Sequence, residues 1–226
     1  MFYADQMRLP FVFRESLIIS TLHLTIRATG EQVALPGVVF RGAGTRITQW
    51  EKDHYPPNVR IYWQANAWVD TVAMDQITDD FLTDVADIEG GVMLGVDNIG
   101  AHHDSNIKTK LVAADVFPVF TPTQCKDVIS PVDHHVGNWM KEAMAVMYGH
   151  ELERNLEMWE NGELTAAERR IYIANWVGTA WTELKTMPKF IRKSFVSTGW
   201  LLAKDGSENH LVKLKKYLKD YGFPRL

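Results

Sequence analysis

One cysteine, Cys125, among 226 residues leaves nothing for an internal disulfide, so packing alone must hold the fold, and a lone thiol fits a reducing compartment. The apolar stretch Leu17–Ile26 falls short of the ~20 residues that a helix needs to span a bilayer. The opening "MFYADQMRLPFVF" carries Asp5 and no leading basic cluster, so it is no secretory signal. These absences lead us to expect a soluble, intracellular protein without a membrane partner. A strand-like run starts almost at residue 1, which suggests a piece of something longer. There is no Gly-x-Ser-x-Gly, and "RGAGTR" has no Gly-Lys-Ser/Thr ending, so serine-hydrolase and phosphate-loop readings have no support. Repeats and low-complexity tracts are also missing.

What is present suits a globular chain. Apolar residues make up 46% and charged residues 23%, enough for one sizeable core or a core with an appendage. Net charge is −4, but it is unevenly spread: Lys185–Leu226 holds ten Lys/Arg against three acids, and the first 184 residues hold 14 against 25. A basic tail on an acidic body can meet phosphates; its plainer reading is a solvated helix face.

The first half reads as β-rich. Phe2–Arg14, Leu17–Arg27, Leu35–Phe40 and Val59–Gln64 carry aromatic and β-branched residues, broken by turn material at "ATGEQ", "RGAGTR" and "YPPN". Thr71–Val85 has helical spacing in Val72, Ile77, Phe81, Leu82 and Val85. A strand Val92–Val96, a short helix near Asn106–Ala113 and a strand Val116–Phe120 follow, then a loop, "TPTQCKDVISP". From Val132 the chain reads as helical. Val136, Trp139, Met140, Ala143, Met144 and Met147 form one stripe. Thr165 and Glu168 match a capping box ahead of a second stripe, Ile173 to Leu184. Pro188 opens a third helix and Gly199 closes it. Short turns predict antiparallel opening strands; the later strand–helix–strand unit predicts parallel ones. The fold class is therefore α/β, a mixed sheet flanked by helices. We expect residues 1–150 to form its main domain and 151–226 a helical extension with a basic tail.

Three carboxylates stand out. Asp97 ends an apolar strand, where a buried acid is unfavourable unless paired or bound to a metal. Asp133 follows Pro131 at a helix start, a place that the helix dipole alone would explain. Asp5 interrupts a strand-like run, where Asp is disfavoured and would ordinarily mark an edge or a turn. Taken together, acids from three separate elements make an oxygen-rich site for a hard divalent cation. Two ions ~4 Å apart would serve phosphoryl transfer.

The motifs around these acids resemble the catalytic domain of DDE superfamily endonucleases, the transposases of the pogo/Tigger/jerky kind within the Tc1/mariner group. "MLGVDNIGAHHD" is similar to the family's apolar run followed by Asp-Asn, two small residues, Ala and His. "SPVDHHVGNWMK" is similar to its Gln-Pro-Leu-Asp block with Ser130 in place of Gln, and "ADQM" to its Asp-Gln-Thr with Met7 in place of Thr. Softer likeness extends over "ATGEQVALPGVVFRGAGTRI" and "IRKSFVSTGWLLAKDGSENHLV". The resemblance implies an RNase H-like fold. It implies that Asp5, Asp97 and Asp133 are catalytic and bind two Mg²⁺ or Mn²⁺ ions, with Asn98 and His102 supporting them. It also implies DNA as partner and substrate, cleavage followed by strand transfer, a nuclear location and a homo-oligomer. By the same resemblance His102 either supports the acids or contacts DNA, and the other DNA-contacting residues are left open.

Two rivals remain at this stage. One keeps the fold without the chemistry, a transposase remnant that binds DNA or protein. The other is a different metal phosphoesterase, since Asp133–His135 spells "DHH" and "AHHD" could offer imidazoles. Against the second, adjacent helical side chains point ~100° apart and no upstream Asp-x-Asp exists.

Overall fold

Side chains in the first strand alternate between two helical layers, and that alternation organises the molecule. The computed structural model describes residues 1–13, 16–98, 100–122 and 125–213. The segment 214–226, which carries the end of the expected basic tail, lies outside the described residues, as does Arg14. The strands are β1 (Phe2–Phe13), β2 (Ser16–Arg27), β3 (Gly37–Arg41), β4 (Arg60–Gln64), β5 (Val92–Val96) and β6 (Val116–Phe120). The helices are α1 (Gln49–Asp53), α2 (Thr71–Val85), α3 (Ser105–Ala113), α4 (Lys126–Ile129), α5 (Gly137–Glu160), α6 (Ala166–Leu184) and α7 (Pro188–Ser197). None of the described helices is long and apolar enough to cross a membrane.

The six strands form one sheet in the order β4-β3-β2-β1-β5-β6. The pairs β1–β2 and β2–β3 are antiparallel; β1–β5 and β5–β6 are parallel. Three antiparallel strands continued by parallel crossovers make the mixed sheet that the sequence pattern predicts and the RNase H-like fold that the resemblance implies. One pairing departs from expectation: β3 and β4 are parallel. Residues 42–59 between them carry α1 and form a crossover, which a parallel pair requires. Being only five residues long, α1 has too little periodicity to be read from sequence.

On one face, Tyr3 and Met7 of β1, Leu22 and Leu24 of β2 and Phe40 of β3 pack against α5–α7 through Met140, Met144, Ile173, Trp181 and Phe195. On the other, Phe2, Ala4 and Val39 meet Met74, Ile77 and Phe81 of α2 and Ile107 and Leu111 of α3. The period-2 rule thus puts Asp5 on the Tyr3–Met7 face, towards α5 and its approach. The stripes read from sequence in α5 and α6 are the buried ones, and Thr165 and Glu168 form the reciprocal capping box. In α2 the turn phase differs slightly: Val72 is 68% exposed and Met74 takes its place inside. The late tryptophans are packing residues, with Trp159 and Trp176 stacked amid Tyr148 and Tyr172.

A buried ion pair ties α1 to α6. Arg170 Nε and Nη2 donate to Glu51 Oε1 and Oε2 at 2.8 and 2.9 Å, and the Tyr55 hydroxyl donates to Oε1 at 2.5 Å. Burial would push the Glu51 carboxyl up, but these donors hold it below the usual carboxylate range. Arg170→Met strands that carboxylate, so chemical denaturation should show a loss of ~3–5 kcal/mol. Adding Glu51→Gln should recover part of it.

His23 of β2 is buried beside His102, and burial, reinforced by His102, drops its imidazole to about 3. Unfolded, it titrates near the ordinary ~6.5. Between those values the unfolded chain holds the extra proton, so this contribution to stability is complete above pH ~6.5 and falls as pH falls. Relative to His23→Leu, wild type should lose about 2 kcal/mol from pH 7 to pH 5, measured by urea unfolding at both.

Candidate active site

Parallel pairing of β1 with β5 sets Ala4 opposite Val96. One residue further, Asp5 and Asp97 therefore emerge side by side, Asp5 within the central strand and Asp97 just past the end of β5. Both are buried, at 0% and 1% exposure. Neither is an edge or turn residue, so the ordinary reading of Asp5 does not hold.

Their carboxylates share one cation, the ammonium of Lys126. Its Nζ lies 2.6 Å from Asp5 Oδ1 and donates to Asp97 Oδ2 at 3.0 Å. Of the other two oxygens, Asp5 Oδ2 has a hydroxyl donor, and Asp97 Oδ1, buried and without a hydrogen bond, lies against a histidine ring. Ser130 Oγ donates to Asp5 Oδ2 at 2.7 Å, and His102 Nδ1 lies 2.7 Å from Asp97 Oδ1 and 3.0 Å from the Asp97 carbonyl oxygen. The backbone N–H of Gln6 also donates to Asp5 Oδ1, at 2.7 Å.

The two acids differ in charge balance. Burial works against the Asp97 carboxylate, but His102 and Lys126 overcome it and hold the group below the usual carboxylate range. Asp5 is deeper, and burial followed by the nearby Asp133 carboxylate raises it to about 6 against the pull of Lys126 and Ser130. Lys126, half-buried between them, is held above its ordinary value because Asp5 and Asp97 outweigh its desolvation.

Asp133 arrives from a π-helical turn, Val132–Val136, that runs into α5. Such turns recur at functional sites because the extra residue re-aims a side chain. Its backbone N–H donates to Ser130 Oγ at 3.0 Å, so a single hydroxyl links Asp5 to the start of the Asp133 turn. Close packing fixes that turn over β1. A Cβ on Gly137 would meet the Met7 terminal methyl, so a larger residue there would require the Met7 side chain to shift. Trp200 braces the other side. Its indole Nε1 donates to the Ile129 carbonyl at 2.6 Å and its ring lies edge-on to Tyr3, over Gly95, where a Cβ would come within 2.8 Å of it.

Asn98 is exposed and accepts from His103, whose ring stacks on Phe120. His102 is buried against Asp97 rather than facing outward. Sequence reading did not single out Lys126, Ser130's hydroxyl or His23 as parts of this region. Lys126 was hidden in a stretch read as loop, which forms the four-residue α4.

The donor set suits a hard divalent cation: carboxylate oxygens, buried, aimed at a common point that a positive charge already fills. Among the described residues, no group of three or more His, Cys, Asp or Glu side chains stands ready to hold an ion. That includes the "DHH" and "AHHD" histidines. His134 stacks on His135 at 6.1 Å, His135 meets Phe190, and His103 is engaged by Asn98.

Comparison with known proteins bears on this geometry. No curated protein matches the sequence significantly. Among solved structures, the chain is similar to a Mos1 transposase catalytic domain with raltegravir and Mg, at 13% identity and a TM-score of 0.44, over 89% of this chain and 85% of that one. It is also similar to the catalytic domain of Mos1 mariner transposase, at 12% identity and a TM-score of 0.37, over 89% and 83%. A simian T-cell lymphotropic virus intasome in complex with PP2A regulatory subunit B56 gamma aligns at 11% identity and a TM-score of 0.41, over 100% of this chain and 55% of that one. The model of the DDE superfamily endonucleases matches residues 19–195, a span that contains Asp97 and Asp133 and begins after Asp5. With most of its length inside that match, the chain belongs to the DDE superfamily endonuclease family.

Proposed function

We propose that the chain cuts DNA phosphodiester bonds and joins the freed end to a new strand, as the catalytic part of a pogo/Tigger/jerky-like transposase acting on nuclear DNA. Asp5, Asp97 and Asp133 would hold two Mg²⁺ or Mn²⁺ ions. The observation that carries this reading is the convergence of two buried carboxylates, from neighbouring parallel strands, on one cation position. Bound ions would activate the attacking water or 3′-hydroxyl and neutralise the leaving oxygen.

The chain's own residues prepare for that. His102 orients Asp97 through its ring nitrogen, and Ser130 orients Asp5 while capping the Asp133 N–H. Burial of Asp5 and Asp97 keeps bulk water from screening them. The helix α7 packs against the turn that carries Asp133 and presents Lys189, Arg192 and Lys193 to solvent. Together with Lys213, Lys193 adds to the positive field that, after burial and His134, lowers His135. A basic face beside the acids suits the phosphates flanking a scissile bond.

Nicking of supercoiled plasmid in Mg²⁺ or Mn²⁺ tests the reading. Wild type should nick, EDTA should stop it, and Asp97→Asn should slow it by at least ~100-fold with its circular dichroism unchanged. Nicking that survives in Asp97→Asn or in EDTA would refute the metal-ion role of these acids. Separately, Lys189→Ala with Arg192→Ala should weaken DNA binding at every sequence and reduce the salt slope by about 2, read by fluorescence anisotropy.

A further inference from the structure

We propose that the Lys126 ammonium is a built-in occupant of the cation position between Asp5 and Asp97, so that a divalent ion binds there only by displacing it. The inference rests on the reading of Asp5 and Asp97 as metal ligands and adds what controls access to them.

The first argument is space. The ammonium nitrogen sits 2.6 Å from Asp5 Oδ1 and 3.0 Å from Asp97 Oδ2. A Mg²⁺ ion bridging the same two oxygens at ~2.0–2.1 Å would need the volume between them that Nζ now takes. Asp97 Oδ1 is buried without a hydrogen bond, but an ion bridging the two acids would also need an oxygen of Asp5, whose Oδ2 is taken. Asp5 Oδ2 accepts from Ser130 and Asp97 Oδ1 faces His102 Nδ1. The Asp5 oxygen left for such an ion is the one that Lys126 holds.

The second argument is charge. Two buried carboxylates repel one another and need a positive charge close by. Lys126 supplies one, so the pair is stable in the absence of metal. A divalent ion arriving beside the ammonium would meet a like charge in a poorly screened site, and the two cations exclude each other.

The third argument is that Lys126 can leave. Its side chain is 35% exposed while both partners are nearly fully buried. It stands on α4, a helix of four residues whose N-cap, Cys125, makes no side-chain hydrogen bond. A flexible four-carbon stem can swing the ammonium to solvent while β1 and β5 keep the carboxylates in place.

Mn²⁺ titration of the full chain, followed by calorimetry and by the electron paramagnetic resonance signal of free Mn²⁺, tests the proposal on wild type, Lys126→Met and Lys126→Gln. Both variants should bind Mn²⁺ at least tenfold more tightly than wild type, and adding Asp97→Asn should abolish the gain. In EDTA the variants should melt below wild type and recover with Mn²⁺, whereas wild type should respond little. In the wild-type chain itself, saturating Mn²⁺ should raise the rate at which an amine-acylating reagent labels Lys126. Wild type and variants binding within threefold of each other, or variants binding more weakly, would overturn the displacement while leaving the metal-dependent endonuclease reading intact. No binding by any folded form would overturn both. If the variants fail to fold, labelling of wild-type Lys126 decides: an unchanged or slower rate in Mn²⁺ overturns the proposal.

Discussion

Two buried carboxylates on adjoining parallel strands need a cation between them, and much of this structure serves that requirement. The β1–β5 pairing brings Asp5 and Asp97 together at one end of the sheet. Once they are there, repulsion and desolvation both favour protonating one of them. The protein resolves this unequally. Asp97 keeps its charge with help from His102 and Lys126, while Asp5, facing Asp133 as well, is pushed upward. An acid that gives way more readily beside one that does not makes the pair sensitive to how much positive charge is at hand. Lys126 is the positive charge that the chain itself provides.

Holding that arrangement takes contacts distant in sequence. Ser130 reaches Asp5 across 125 positions, and Trp200 fastens the Ile129 carbonyl from 71 positions away. Both act on the short stretch that joins β6 to α5, which carries Lys126, Ser130 and Asp133. The layer of α5–α7 behind it is among the best packed parts of the molecule, with Met140, Ile173, Trp181, Ile191 and Phe195 at no more than 1% exposure. A rigid helical layer thus supports a connection whose regular structure, among the described residues, is the four-residue α4 and one π-helical turn. Rigid backing under a short, weakly structured connection is a common way to place charged groups accurately while leaving one of them able to move.

How far the site was legible follows from the range of each interaction. Periodicity is local, so the strands, the stripes of α5 and α6 and the capping box could be read from neighbouring residues. Asp97 could be found because an acid ending an apolar run is locally anomalous, and Asp133 because Pro131 and the following stripe mark a helix start. Lys126 gives no local signal. It lies in "TPTQCKDVISP", a stretch without a period of its own, and its importance comes only from a side chain reaching Asp5 and Asp97. The parallel pairing of β3 with β4 was missed for a related reason: α1, which makes the crossover, is too short to show a helical period. Val72 was misplaced because a 15-residue helix fits its apolar face in more than one phase, and only packing against the sheet chooses.

Two departures from the family's usual motifs, Met7 for Thr and Ser130 for Gln, look at first like damage. Their surroundings argue otherwise. Met7 is buried and its terminal methyl lies directly over Gly137 at the start of α5. A shorter side chain there would leave a void beneath the turn bearing Asp133. Ser130 is fully buried, and its hydroxyl is used twice, donating to Asp5 Oδ2 and accepting from the Asp133 N–H. A small hydroxyl suits that double role because it can turn to give its proton to one partner and a lone pair to the other. A buried hydroxyl needs such partners, because an unmatched polar atom there is unfavourable. The departures are therefore integrated into the packing and hydrogen bonding around the acids. Lys126, by contrast, contributes the positive charge that lies between the two buried acids.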